Sequence, residues 1–154
     1  MFPLLIVYDF DGVMTNNKVY LDQDGREMVE VNRADGLGIR ELSEKGVEQV
    51  IISSEQNPIV SVRANKLSID CFQGVNDKLT VLLEYTRKKG INLEKVAYIG
   101  NDINDHKVME AVGIALCPSD AHHSIKKISK HILKTKGGDG VVREVFEYFI
   151  KNES

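Results

Sequence analysis

The sequence predicts an α/β domain in which a parallel sheet carries helices on both faces. Short apolar runs rich in β-branched residues recur along the chain, and stretches with helical periodicity separate them. Polar and acidic residues directly follow several of these runs. An alternation of buried strands with helices favours parallel strands, because a crossover through a helix joins one strand to the next.

Five apolar runs have the length and composition of strands that are buried on both faces. They occupy residues 4–8, 50–52, 96–99, 114–116 and 131–133. The first run begins near the start of the chain and ends in two acidic residues. It has no basic leader, so we expect a strand rather than a signal peptide, and hence a cytoplasmic protein with no membrane segment.

Three stretches between or after these runs have recognisable helix ends. Residues 58–67 follow Asn57 as a cap and place Pro58 at the first helical position, and residues 77–89 stop at Gly90. The last stretch follows Asp139, its expected cap, and carries an apolar stripe at Val142, Val145, Phe146 and Phe149. One side of each predicted helix can therefore pack on the sheet.

One segment breaks the alternation. Residues 18–21 and 27–31 are strand-like and flank the polar segment 22–26, which predicts a β-hairpin at about residues 17–32. A two-stranded hairpin is barely stable alone, so we expect it to pack against the domain or another subunit.

Composition restricts the classes of function. The 154 residues suffice for one domain spanning residues 1–154, with 42% hydrophobic and 28% charged residues and a formal net charge of -3. This charge gives no reason to expect nucleic-acid binding. Cys71 and Cys117 lie in or beside apolar runs without metal-ligand spacing, which is typical of buried thiols in a reducing compartment.

The first strand ends in an acidic motif. Asp9 and Asp11 come directly after it, at the edge where open α/β sheets bind their ligands. Two neighbouring carboxylates repel each other unless a cation separates them, and Mg²⁺ suits oxygen ligands and phosphate. Asp9 can then attack phosphorus while Asp11 serves as acid and base, and Gly12 allows a tight turn. A solvated polar turn is the alternative for this motif taken alone.

Three further groups come after later strands. Ser53 ends the second apolar run and can donate to a phosphate oxygen, although a helix-capping serine is the simpler interpretation. Lys78 opposes the dipole of its predicted helix, a cost that a role in neutralising the nucleophile and phosphate would explain, although a solvated surface lysine is the commoner case. Asn101, Asp102 and Asp105 come after the third run and offer oxygen ligands for a metal. The alternative is a polar loop in which Asn104 or Asp105 caps the next helix. The order of all four groups is stronger support than any one of them.

These residues resemble the four motifs of the haloacid dehalogenase superfamily, in segments 9–15, 52–54 and 100–105 and at Lys78. Segments 32–39, 72–75, 112–115 and 137–144 are similar to a subgroup without a cap domain. Its members are phosphatases of 3-deoxy-octulosonate 8-phosphate and of keto-deoxy-nonulosonate 9-phosphates. The resemblance implies a Rossmann-like sheet without a cap, Mg²⁺ as cofactor, and a homotetramer that assembles through the hairpin and covers each active site.

The resemblance also implies the roles of individual residues. Asp9, Asp11, Ser53 and Lys78 would be catalytic, and Asp9, Asp11, Asn101, Asp102 and Asp105 would bind the metal. Thr15, Ser54, Glu55, Arg63 and Lys66 would contact the substrate. Glu55, Arg63 and Lys66 match the nonulosonate 9-phosphate class, which is therefore the favoured substrate, with octulosonate 8-phosphate as the alternative. A solvated basic helix face is the structural alternative for Arg63 and Lys66.

Two positions depart from the superfamily pattern. Ser54 replaces a glycine of the second motif, and Asn101 replaces the first acid of the fourth motif. The loss of a charge at residue 101 predicts weaker metal binding unless Asp102 or Asp105 compensates. It also leaves open a low-activity assembly module associated with sugar-nucleotide synthesis. A mutase is disfavoured, because it needs a lid that keeps water from the intermediate.

Overall fold

The computed structural model describes residues 1–153, which form a six-stranded parallel sheet and a separate hairpin. The sheet order is β5-β4-β1-β6-β7-β8. Its strands are β1 (Leu5–Tyr8), β4 (Glu48–Ile52), β5 (Asp70–Phe72), β6 (Val96–Ile99), β7 (Ile114–Cys117) and β8 (His131–Ile132). The hairpin pairs β2 (Tyr20–Leu21) with β3 (Glu27–Met28).

Five α-helices lie between strands, and a sixth follows the last strand. They are α1 (Arg33–Glu44), α2 (Ile59–Leu67), α3 (Lys78–Lys89), α4 (His106–Ala111), α5 (His123–Ile128) and α6 (Val141–Lys151). Helices α1, α2 and α6 pack on one face of the sheet around Ile6, Tyr8 and Ile51. Helices α3, α4 and α5 pack on the other face around Val7, Val50 and Tyr98. The central strands β4, β1, β6 and β7 are therefore buried on both faces, as their continuous apolar sequences predict. The edge strands β5 and β8 are largely exposed, so the expectation of a fully buried strand at residues 131–133 is wrong.

The strand order creates a crevice at the centre of the sheet. From β1 the chain moves outward to β4 and β5, then returns to pair β6 on the opposite side of β1. The connections thus diverge at the carboxyl ends of β1 and β6, which is where ligands bind in open α/β sheets.

Most predicted elements are confirmed, with several differences. The hairpin strands have two residues each, shorter than predicted, and β5, α1 and α5 were not predicted as separate elements. Pro58 is the cap residue of α2 and not its first helical residue, although Asn57 Oδ1 does accept from Ile59 N at 3.1 Å. The expected Asp139 cap is wrong: Gly140 occupies the cap position of α6 without a side-chain bond. The bond comes instead from α1, where Asp35 Oδ1 accepts from Val142 N at 3.1 Å. Because the capping residue lies 107 positions away in the sequence, the residues around Val142 give no indication of it.

Close packing of α1 against α6 explains why the cap comes from α1. Gly38 lies at the contact, and a Cβ there would be 2.8 Å from the backbone oxygen of Val142. The side chain of Asp35 is only 1% exposed, and burial raises its pKa to about 7. The two helices are therefore joined by a buried carboxyl group beside the core.

Candidate active site

Asp9 lies at the central crevice, directly after β1. Its backbone nitrogen donates to Ile99 O at 2.9 Å, which holds the residue against β6. The side chain is buried, and its Oδ1 accepts from Phe10 N at 2.8 Å. Burial raises the pKa of Asp9 well above its usual value, and the charge of Asp105 acts in the same direction.

Lys78 balances part of this charge. Its Nζ lies 3.0 Å from Asp9 Oδ1 and 2.8 Å from Asp105 Oδ1, and its side chain is 2% exposed. Burial lowers the pKa of Lys78, but the charges of the two acids outweigh burial and raise it. Tyr98 donates to the same Asp105 oxygen at 2.8 Å. Lys78 is therefore a buried cation beside the candidate nucleophile, not a solvated surface lysine.

Both carboxylate oxygens of Asp105 accept hydrogen bonds within this network. Its Oδ2 accepts from Asn101 N at 3.0 Å and from Asp102 N at 3.4 Å, while its Oδ1 binds Lys78 and Tyr98. The side chain is fully buried and does not line the cleft around Asp9. The structure thus places Asp105 as the support of Lys78 and of the loop, not as a metal ligand.

Asp11 is half-buried at the edge of the cleft. Burial raises the pKa of its carboxyl group, and the charge of Glu55 raises it further, whereas Lys78 lowers it. A carboxyl group with a raised pKa retains a proton at higher pH, which suits a group that protonates a leaving oxygen.

The loop after β1 is held by Thr15. The hydroxyl oxygen accepts from Gly12 N at 3.2 Å and from Asn17 N at 3.1 Å, and the residue is fully buried. Gly12 has φ +81°, which favours glycine. The structure therefore shows that Thr15 shapes the loop, and its expected contact with substrate stays a prediction.

Ser53 and Ser54 come after β4 on the other side of Asp9. Ser53 is buried, and its Oγ accepts from Glu55 N at 3.2 Å. Ser54 lines the cleft, where its Oγ accepts from Asn104 Nδ2 at 3.2 Å. This bond joins the loop after β4 to the loop after β6.

The resulting cleft is small and polar. It has a volume of about 190 Å³ and is lined by Asp9, Asp11, Asn17, Ser54, Asn101, Asp102 and Asn104. Asn17 was not predicted as a site residue, and its φ of +67° is unusual for a residue with a side chain. No sequence signal shows the direction in which such a turn residue points, so only the structure reveals it.

Three groups in this cleft fit a magnesium ion. The amide end of Asn101 lies 2.9 Å from Asp9 Oδ2 and 3.0 Å from the backbone oxygen of Asp11. Oxygens that share an octahedral Mg²⁺ site are about 2.8–3.0 Å apart, because each lies about 2.0–2.1 Å from the ion. Asp11 contributes its carbonyl here, which the sequence could not indicate. Within residues 1–153, no three His, Cys, Asp or Glu side chains converge as a metal site, so this set combines a carboxylate, a carbonyl and an amide.

Arg63 and Lys66 lie outside the cleft that contains Asp9. They line a groove of about 710 Å³ between α1 and α2, together with Arg33 and Arg40, and they do not line the cleft that contains Asp9. Arg63 Nη2 also donates to Asn32 O at 3.1 Å. Within one chain the structure therefore does not bring these two residues to the candidate nucleophile, whereas Glu55 does lie near Asp11.

No helix within residues 1–153 has the length and apolar character needed to cross a membrane.

Comparisons with known proteins agree with this fold. The family model of the haloacid dehalogenase-like hydrolases matches residues 39–145. A 3-deoxy-D-manno-octulosonate 8-phosphate phosphatase of Yersinia pestis is 35% identical over 147 residues, covering 95% of this chain and 79% of the relative.

Two solved structures have the same fold. The phosphatase of that name from Yersinia pestis has a TM-score of 0.92 at 35% identity, covering 97% of this chain and 81% of its own. The one from Moraxella catarrhalis, in complex with magnesium ion, phosphate ion and KDO, has a TM-score of 0.92 at 33% identity, covering 97% and 86%.

Proposed function

The chain belongs to the haloacid dehalogenase-like hydrolase family and is a phosphoric monoester hydrolase, and we propose that its substrate is a phosphorylated 3-deoxy-2-keto sugar acid. The buried ion pair of Lys78 with Asp9, beside a cleft with oxygens at magnesium spacing, is the observation that carries the phosphatase chemistry. The sugar-acid part of the proposal is supported by the names of the relatives. The phosphatases of this family use Mg²⁺, and the magnesium complex of a relative agrees with that requirement.

The proposed reaction has two displacements at phosphorus. A carboxylate oxygen of Asp9 forms a bond to phosphorus as the bond to the sugar oxygen breaks, and Asp11 gives that oxygen a proton. A water then attacks the aspartyl phosphate while Asp11 takes its proton, which releases inorganic phosphate and restores Asp9. Lys78 holds the Asp9 carboxylate in place and offsets negative charge throughout.

Mg²⁺ would be held by the Asp9 carboxylate, the Asp11 carbonyl and the Asn101 amide oxygen, with Asp102 close by. When bound, the ion supplies charge neutralisation for the phosphate oxygens and the nucleophile. The proposal also has the hydroxyls of Ser53 and Ser54 donate to phosphate oxygens. Ser54 lines the cleft, and Ser53 is the buried residue directly before it.

Two substrates remain candidates within this class. The names of the relatives support octulosonate 8-phosphate. The nonulosonate 9-phosphate, favoured by the pattern of Glu55, Arg63 and Lys66, is supported by a groove lined by four basic and no acidic side chains. Such a groove attracts a sugar-acid carboxylate. Because it is separate from the cleft in one chain, this alternative requires a second chain to bring its groove to the cleft.

The hairpin supports such an assembly. Tyr20, Leu21 and Met28 are 69%, 67% and 66% exposed, and they form the strands that would otherwise be marginally stable. Exposed apolar residues on a short hairpin are typical of a protein interface. We propose that the hairpins assemble the chain into a homotetramer that closes over each cleft.

The test is phosphate release with and without Mg²⁺ from both sugar-acid phosphates. We expect release that depends on Mg²⁺ and is abolished in Asp9→Asn, whereas Glu94→Gln, at the opposite end of β6, leaves it unchanged. Equal rates in wild type and Asp9→Asn refute the proposal. A low-activity assembly module, suggested by Asn101, predicts instead a nearly inactive wild type that gains activity in Asn101→Asp.

Mixed assemblies test the role of the groove. An inactive Asp9→Asn chain mixed with an Arg63→Ala/Lys66→Ala chain contains hybrid sites with an intact cleft and an intact groove. If neighbouring chains share one site, the mixture turns over nonulosonate 9-phosphate faster than the sum of its parts. Activity that merely adds shows that the groove has no part in the reaction.

A further inference from the structure

The carboxamide of Asn101 is in a position where nitrogen and oxygen have opposite consequences. The amide end that faces the acids lies 2.9 Å from Asp9 Oδ2 and 3.0 Å from Asp11 O. Both neighbours are hydrogen-bond acceptors, so an NH₂ group at this point donates to both. An amide oxygen at the same point faces two other oxygens and is stable there only across a cation.

Hydrogen bonds hold the backbone of Asn101 in place but do not fix the orientation of its carboxamide. Asn101 N donates to Asp105 Oδ2 at 3.0 Å, and Asn101 O accepts from His122 N at 2.8 Å. The far end of the carboxamide lies against Gly12, where a Cβ would overlap it. A carboxamide is nearly the same size in both orientations, and rotation about its last torsion has two broad minima.

We propose that the Asn101 carboxamide rotates by half a turn when Mg²⁺ binds, from donating its NH₂ group to Asp9 and Asp11 to presenting its oxygen to the ion. This inference rests on the magnesium site of the proposed function. It gives residue 101 a second role, because the same side chain that binds the ion also satisfies the two acceptors when the ion leaves.

An aspartate at residue 101 can bind the ion but cannot donate hydrogen bonds to Asp9 and Asp11 when the ion is absent. It would present an oxygen to the ion with an added negative charge, and Mg²⁺ would bind more tightly. Without the ion, its carboxylate would lie about 3 Å from the carboxylate of Asp9 and repel it. The two hydrogen bonds that the Asn101 NH₂ group donates to Asp9 and Asp11 would also be lost. Stability without the ion and affinity for it should therefore change in opposite directions.

The first measurement compares Asn101→Asp with wild type by calorimetric Mg²⁺ titration and by thermal unfolding in EDTA. We expect the Kd for Mg²⁺ to fall by about tenfold or more and the Tm without the ion to fall by about 4 °C or more. Asn92→Asp, at the cap of a short turn far from the cleft, should leave both values unchanged. A variant as stable as wild type in EDTA overturns the proposal.

The second measurement follows the side-chain NH₂ of Asn101 by ¹H–¹⁵N NMR, with the assignment made from Asn101→Asp. Without Mg²⁺ its protons should exchange slowly with solvent, and Mg²⁺ should shift them and speed their exchange. Side-chain NH₂ protons that exchange fast without the ion also overturn the proposal. So do protons whose chemical shifts and exchange rates do not change when Mg²⁺ is added. Neither readout involves turnover, so a protein that releases no phosphate from either sugar-acid phosphate but whose Asn101 responds in this way contradicts the proposed substrate alone.

Discussion

Replacing Lys78 with methionine tests the charge balance of the proposed centre most directly. The substitution keeps an unbranched side chain of similar length and removes the ammonium group between Asp9 and Asp105. All three side chains are buried, with exposures of 2%, 7% and 0%. The two carboxylates then face each other without a cation, and one of them must take up a proton or remain uncompensated.

The size of the effect can be derived from this burial. Removing one partner of a buried ion pair costs about 3–5 kcal/mol of unfolding free energy. Lys89 provides the control, because its pair with Glu48 at 3.1 Å is 40% and 43% exposed, and loss of an exposed pair costs less than about 1 kcal/mol. Catalysis should fall by at least about 10²–10³, the usual effect of losing one electrostatic contact to a reacting group.

The sign of the pH dependence adds a second criterion. Without Lys78, the folded-state pKa of Asp9 rises further above its unfolded value, since Lys78 is the group that lowers it. A carboxyl group with a raised folded pKa binds more protons when folded, so stability is lost as pH rises through that pKa. The deficit of Lys78→Met should thus be largest near neutral pH and should shrink as the pH falls.

Urea unfolding of wild type, Lys78→Met and Lys89→Met at several pH values measures these differences, and Mg²⁺-dependent phosphate release gives the activity. A Lys78→Met protein as stable and active as Lys89→Met would refute the argument. A deficit that does not vary with pH would show that lost packing, rather than charge, causes it.

Three other substitutions test the acid–base role of Asp11, the space beside Gly12 and the buried charge of Asp35. Asp11→Asn should lower kcat by about 10²–10⁴ and remove the limb of the pH–rate profile that depends on the raised pKa of this residue. Gly12→Ala should abolish Mg²⁺ binding in a titration, because its Cβ overlaps the Asn101 amide, whereas Gly25→Ala, with a similar φ but open space around it, should keep it. Asp35→Asn should raise the unfolding free energy at pH 8 by about 2–4 kcal/mol, since the pKa of about 7 makes the charged form costly. That gain should vanish below about pH 4 in urea unfolding.

The strands and the placement of the acids were predictable because their signals are local. A continuous apolar run such as residues 5–8 has few alternatives to a strand buried on both faces, and the residues directly after such a strand must emerge at the edge of the sheet. Lys78 was predictable for a similar reason, since a cation in the first turn of a helix needs an explanation. The order of the strands was not, because no residue of one strand identifies its neighbour.

Side-chain direction is the property that the sequence could not predict. Thr15 and Asp105 belong to the recognised segments, yet both side chains turn inward to hold the loops on either side of Asp9. Arg63 and Lys66 share a helix face as their spacing predicts, but that face borders another groove. Spacing decides which residues share a face, whereas packing decides what that face meets, and packing depends on distant parts of the chain.

Asn101 shows why a departure from a family pattern is better interpreted with its neighbours than alone. From the sequence, the missing charge predicts a weaker metal site and leaves open a low-activity module. In the structure, Asp9 and Asp105 already share the single charge of Lys78, and a further carboxylate beside Asp9 would have to find its own cation. An amide keeps an oxygen for the ion and supplies two donors in its place, so the centre need not depend on Mg²⁺ to remain folded. The cost should appear as activity that declines at magnesium concentrations at which Asn101→Asp stays saturated.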